Sequence, residues 1–272
     1  MNKKNVSATR ITQFLAMCAL AGSAMSGHAA TTWNLSTGCA SSAQSSGQIS
    51  CGSVDGITIK AQAYSTNTSA ATTFTTAQIN NYNGTSGLAV TNSSDGTGSP
   101  NHAMDNSNGT DLIALNFGTA VNLSAITLGW WAYDTDITVL AYTGAGAPTI
   151  AGKNLNSFTA ANGWTSVKNY GSATATGTNT GGTDTNKDYT SLSDTTTYSS
   201  WWLISAYNSS FTSTASLDSI ADYMKLLSVA GSTKPTPPGG KVPEPGSLAL
   251  MGAAFFGFLG MRRRQAKKLQ SI

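Results

Sequence analysis

Asp111-Leu112-Ile113-Ala114-Leu115-Asn116-Phe117, Ala125-Ile126-Thr127-Leu128-Gly129-Trp130-Trp131-Ala132-Tyr133 and Ile137-Thr138-Val139-Leu140-Ala141-Tyr142 follow one another in close succession. Each run is short and dense in β-branched, aromatic or Leu residues, which is strand composition. Asp134-Thr135-Asp136 lies between the last two runs and reads as a hairpin turn, pairing the strand after Leu123 with the strand ending at Tyr142. Antiparallel order follows. An apolar sheet face must be covered, so the expected fold is all-β: a single β-sandwich or jelly-roll-like domain. Outward from this centre, Gly56 to Tyr64, Trp201 to Tyr207 and Tyr223 to Val229 carry the same signature, and no long amphipathic helix is evident. Thr91 to Asn108 and Gly171 to Thr197 are Ser/Thr/Gly/Asn-rich and read as surface loops.

The chain has 272 residues and a formal charge of +3, but that sign comes from its two ends. Between Thr31 and Lys241 stand seven Lys and no Arg against eleven Asp and no Glu, a balance of −4. A nucleic-acid surface is therefore not expected. About half of this stretch is Ser, Thr, Asn or Gly, yet its charge is low and its apolar clusters are regularly spaced. Disorder of the usual kind combines low hydrophobicity with high charge, so residues 31–233 are expected to fold as one ectodomain.

Residues 1–30 have the three parts of a secretory signal peptide: Lys3, Lys4 and Arg10, an apolar segment from Ile11 to Ala24, and small residues around Ala29 and Ala30. At the other end, residues 234–241 are Pro/Gly-rich and form a linker. Pro243-Glu244-Pro245 follows, then residues 246–261 without a charge, then Arg262-Arg263-Arg264 and a basic tail over 266–272. A helix over 246–261 would be about 24 Å long at ~1.5 Å per residue, somewhat short of a ~30 Å hydrocarbon core. Flanking residues would snorkel or the bilayer thin. The arginines act as a membrane stop and hold the C-terminus in the cytoplasm, which leaves the ectodomain outside the inner membrane.

Val242-Pro243-Glu244-Pro245, the apolar span and the three arginines over 242–265 resemble the PEP-CTERM sorting signal. The resemblance implies that an exosortase-type membrane protease recognises this tail and cleaves near Pro-Glu-Pro. Pro243, Glu244 and Pro245 would then be recognition residues of a substrate. Glu244 is the only Glu of the chain, fixed between two prolines as a rigid carboxylate. Gly129-Trp130-Trp131, Asp134 to Tyr142, Trp202 to Asn208 and Asp222 to Gly231 also resemble the exosortase-dependent surface proteins. This second resemblance implies a surface role without a defined biochemical activity; together with the tail, it gives the expectation of an exported protein, anchored in the inner membrane with its ectodomain in the periplasm and then passed to the cell surface or the extracellular matrix.

Cys39 and Cys51 remain after the leader is removed and should form a disulfide in an oxidising compartment. Closing a loop of this length contributes about 3 kcal/mol in the chain-entropy model. His102 sits in a polar loop and reads as a solvated histidine; no Gly-x-Ser-x-Gly elbow accompanies it, and no catalytic residue is assigned. Asp134 and Asp136 could bind Ca²⁺ with loop carbonyls, but turn chemistry accounts for Asp there without an ion, so neither metal nor cofactor is assigned. Trp130, Trp131, Trp201 and Trp202 are candidate carbohydrate contacts, through the outward ring of each adjacent pair, since strand alternation turns the other ring inward. The expected role is structural or adhesive, without enzymatic activity and with exopolysaccharide as a candidate partner. The alternative is a secreted carbohydrate-binding module or polysaccharide hydrolase that carries the same tail.

Overall fold

A computed structural model describes residues 30–234, except 42, 70, 71, 85, 97, 172–187, 194, 195 and 212–216. The strands in chain order are β1 (Thr31–Asn34), β2 (Gln48–Val54), β3 (Ile57–Ser65), β4 (Thr75–Thr76), β5 (Gln78–Tyr82), β6 (Gly87–Thr91) and β7 (Met104–Asp105). They continue with β8 (Asp111–Tyr133), β9 (Ile137–Tyr142), β10 (Trp164–Tyr170), β11 (Asp188–Ser191), β12 (Ser199–Ala206) and β13 (Asp222–Thr233). One helical turn, α1 (Leu35–Gly38), follows β1 and is capped by Asn34 Oδ1, which accepts the Thr37 amide at 2.9 Å. The described part of the chain is thus all-β, as expected, and the 13 strands among the described residues form one connected sheet.

β8 organises that sheet. Its first part, Asp111 to Asn116, pairs with β3 on one side and β12 on the other. Its second part, Val121 to Tyr133, pairs with β13 and β11. Gly118 lies between the two parts at φ 67, a conformation glycine adopts without the Cβ penalty, and its N–H is held by Asn116 Oδ1 at 2.8 Å. β9 and β10 extend the first half beyond β12, while β1, β6, β5 and β7 extend the second half beyond β13.

Side chains from both halves meet in one core. Ile113, Leu115, Ile59, Val139 and Trp202 from the first half cluster with Ile126, Leu128, Met224, Leu226 and Leu88 from the second. Trp33 of β1 meets Phe117 of β8 edge-to-face at 5.2 Å. β3 shows the sequence logic plainly, since Ile57, Ile59, Ala61 and Ala63 alternate inward with polar neighbours. Its hairpin with β2 turns at Asp55-Gly56, both at positive φ (52° and 78°), the Asp-Gly signature of a two-residue hairpin loop. Cys39 and Cys51 are joined by a disulfide at the edge of this core.

Four expectations need correction. Asp111–Phe117 and Ala125–Tyr133 are not two strands but parts of the continuous β8. Asp134-Thr135-Asp136 is not a hairpin turn: β9 pairs with β10 and β12 and not with β8. The connection carries the chain from the second half of the sheet to the first, with Asp134 bridging Asp222 and the Asp136 carbonyl accepting the Tyr207 amide at 2.9 Å. Thr91–Asn108 is not only a surface loop, because it contains β7 and buries Ala103, Met104 and Asp105. Within Gly171–Thr197, residues 188–191 form β11.

The chain divides into two units, Met1–Thr233 and Lys234–Ile272. The signal peptide expected over 1–30, apart from Ala30, and the tail motif and the span at 246–261 lie outside the described residues. Among the described residues, no helix is long and apolar enough to cross a membrane.

Candidate functional site

Because β8 turns back at Gly118, its two ends come to one end of the sheet, and acidic residues gather there. Asp111 opens β8, Asp134 and Asp136 follow its end, and Asp222 opens β13 opposite Tyr133. Asn106 joins these segments: its Nδ2 donates to Asp222 Oδ2 at 2.5 Å and to the Tyr207 carbonyl at 3.1 Å, and its Oδ1 accepts the Asp222 amide at 2.9 Å.

The first acidic group is Asp95, Asp105 and Asp111, each with one carboxylate oxygen within 4.8 Å of the others. Asp105 and Asp111 are buried, at 1% and 0% exposure. Asp95 Oδ2 accepts the Asn92 amide at 2.7 Å, Asp105 Oδ1 accepts the Ser107 amide at 2.9 Å, and Asp111 Oδ1 accepts Asn92 Nδ2 at 3.3 Å. Asp95 Oδ1 and Asp105 Oδ2 are buried without a hydrogen-bond partner. Burial pushes the Asp105 carboxyl up to about 7, with the Ser107 amide opposing and the charge of Asp95 reinforcing. Burial and then the charge of Asp105 raise Asp111 well above the carboxylate range. Two like charges at this separation repel by about 3 kcal/mol even at an effective dielectric of about 20, so three ionised groups need a counter-charge.

The second group is Asp134, Asp136 and Asp218, again with oxygens within 4.8 Å. Asp222 lies beside it, and its Oδ1 accepts the Asp136 amide at 2.7 Å. Burial pushes Asp222 up to about 9; the Asp136 amide opposes this and the charges of Asp136 and Asp134 add to it. Asp134 Oδ1 also accepts the amide of the next residue, Thr135, at 2.7 Å.

A cavity of about 250 Å³ adjoins the first group, lined by Tyr82, Ser99, Pro100, His102, Trp130 and Lys225. Lys225 points from β13 with its Nζ 3.7 Å from the Tyr82 ring centre and 4.5 Å from that of Trp130. Burial lowers its pKa to about 8. Tyr82 Oη and His102 Nδ1 lie 3.0 Å apart, while His102 Nε2 is buried without a hydrogen-bond partner. His102 is therefore half-buried in a cavity wall and not the solvated loop residue its sequence context implies.

The four tryptophans separate. Trp130 is half-buried and faces this cavity, whereas Trp131 is buried at 7% exposure. Trp202 is fully buried and donates from Nε1 to the Val121 and Ser199 carbonyls at 3.0 and 3.1 Å. Trp201 is half-buried on β12, in the other half of the sheet from Trp130. Pro243, Glu244, Pro245 and Arg262 to Arg264 lie outside the described residues. Tyr82, Lys225 and the first acidic group carry no local motif; only the pairing of β5, β6, β7, β8 and β13 assembles them.

The fold and this end of it define an all-β domain with a charged, aromatic-walled cavity and buried acidic groups. A family model for the PEP-CTERM protein-sorting motif matches residues 241–264. The motif indicates an exosortase-targeted, exported surface protein that is processed at the membrane. No curated protein matches the chain in sequence.

Proposed function

We propose that the chain is a structural or adhesive protein of the cell surface or extracellular matrix, without enzymatic activity. On this reading residues 1–30 are removed on export, residues 246–261 hold the protein in the inner membrane, and an exosortase-type protease grips Pro243, Glu244 and Pro245. The ectodomain is a jelly-roll-like sandwich made from a sheet folded over at β8. The observation that carries the reading is the sorting motif at 241–264, placed after an all-β unit that ends at Thr233. Mass spectrometry of the mature protein from cells with and without the sorting protease tests it. The expected result is a chain that begins near Thr31 and, with the protease present, ends near Glu244. A chain ending at Ile272 in both strains would overturn the reading.

The alternative, a carbohydrate-binding module, is favoured by one specific observation: the half-buried face of Trp130 shares a cavity with Tyr82, His102 and the Lys225 ammonium. Aromatic faces stack on sugar rings, and an ammonium that forms no carboxylate pair among the described residues suits an acidic sugar. Saturable polysaccharide binding lost in Trp130→Ala but kept in Trp201→Ala would support this site. Polysaccharide hydrolysis by the purified protein would instead indicate an enzyme.

A further inference from the structure

We propose that Asp95, Asp105 and Asp111 hold a calcium ion. The inference is independent of the sorting and carbohydrate readings and rests on two separate observations. The first is spacing. Oxygens bound to one Ca²⁺ at about 2.3–2.6 Å lie no more than about 5 Å apart, and one oxygen from each of these carboxylates falls within 4.8 Å of the others.

The second is an unmet polar group. Asp105 is 1% exposed, yet its Oδ2 has no hydrogen-bond donor, and Asp95 Oδ1 is likewise buried without one. Buried carboxylate oxygens nearly always find a donor or a cation, because leaving one unpartnered forfeits its hydration for nothing. The surroundings supply donors only to the other oxygens. Asn92 through its amide and Nδ2, and Ser107 through its amide, fix the orientation of the three carboxylates much as supporting groups orient metal ligands. His102 acts on Asp95 electrostatically, but among the described residues no Lys or Arg forms an ion pair with any of the three.

The donor set selects the ion. Three carboxylates without a thiolate favour a hard cation over zinc or copper. Asp95 comes from irregular chain between β6 and β7, and a ligand set that mixes it with Asp105 of β7 and Asp111 of β8 suits the flexible shell of Ca²⁺ better than the strict octahedron of Mg²⁺. Binding would tie Asp95 and Asp105 to the start of β8. The segment between them carries Ser99, Pro100 and His102, so the ion would also fix one wall of the cavity.

The test uses the full-length chain in detergent, stripped of metal and titrated with CaCl₂ by equilibrium dialysis with ⁴⁵Ca, alongside thermal melts in CaCl₂ and in EGTA. The expected result is calcium binding in the 10⁻⁴–10⁻³ M range of extracellular modules, or tighter, and a higher Tm in calcium than in EGTA. Asp105→Asn should reduce the bound calcium by one ion per chain, and Asp134→Asn should leave that ion in place. Asp95→Asn, at the less buried position, should weaken the same ion at least tenfold and serves if Asp105→Asn does not fold. The proposal is overturned if the wild-type chain binds no calcium up to 10 mM. It is equally overturned if Asp95→Asn and Asp105→Asn bind as much calcium as wild type, or if the calcium bound is lost only in Asp134→Asn.

Discussion

The two outer faces of the sheet are covered in opposite ways. Over the first half, Phe74, Phe158, Phe211 and Trp164 close on Leu112, Ala114, Leu140 and Leu203 as a second apolar cluster. Phe158 alone meets Phe74, Phe211 and Trp164 at centroid distances of 5.5, 5.2 and 5.2 Å. Over the second half, the apolar contact is thin: Ala103, Ala132 and Tyr223, with Trp130 and Ala221 at its margin. There the excursion from β6 to β8 is held by Asn92, Asn106 and the aspartates. One cover is sealed by ring packing, and the other is positioned by hydrogen bonds and charge. The second therefore retains polar groups that a ligand or ion can reach, and the first contributes mainly stability. The first is not featureless, since a cavity of about 190 Å³ touches Tyr142, Phe158, Trp164 and Lys153.

The comparison is broken most directly by deleting a ring from each cover. Phe74 is fully buried, so Phe74→Ala should cost about 3–5 kcal/mol in denaturant unfolding and leave calcium binding unchanged in the folded fraction. Trp130 is only half-buried, so Trp130→Ala should cost roughly half as much. Equal losses from the two would show that the second cover is as tightly packed as the first.

A finer test uses pH. Asp222 sits at about 9 in the folded protein against 3.8 for the free side chain. Folding takes up a proton throughout that window, so this group makes stability fall as pH rises from about 4 to 9, by up to about 1.4 kcal/mol per unit. In chelator, Asp222→Asn should flatten the slope of unfolding free energy against pH by close to one proton. An unchanged slope would mean that the acidic end of the sheet does not titrate with the fold.

Much of the first half is legible because its strands are either continuous apolar runs, as in β9, or a plain apolar–polar alternation, as in β3. Ile137–Tyr142 was read to the residue, and Gly56–Tyr64 within one residue at each end of β3. What escaped was polar or non-local. β5, Gln-Ile-Asn-Asn-Tyr, buries Ile79 and Asn81 and exposes nothing distinctive, so its composition reads as loop. Asp134-Thr135-Asp136 has the composition of a turn, and only its bridge to Asp222 reveals a crossing between halves. Of the candidate site, Trp130 was singled out from sequence. Lys225 and Asp105 were not, because a lone Lys in an apolar strand and a lone Asp in a polar stretch acquire meaning only when β13 pairs with β7 and β8.

β13 has a mechanical consequence. Lys225 near its start faces the cavity, Thr233 at its end leads into the rest of the chain, and a ladder to β8 runs along the strand between them. A load gripped in the cavity by Trp130 of β8 and resisted through the chain beyond Thr233 of β13 would run along the strand axis and pass from one strand to the other through that ladder. The rungs of that ladder would then share the force in shear instead of opening one at a time like a zip.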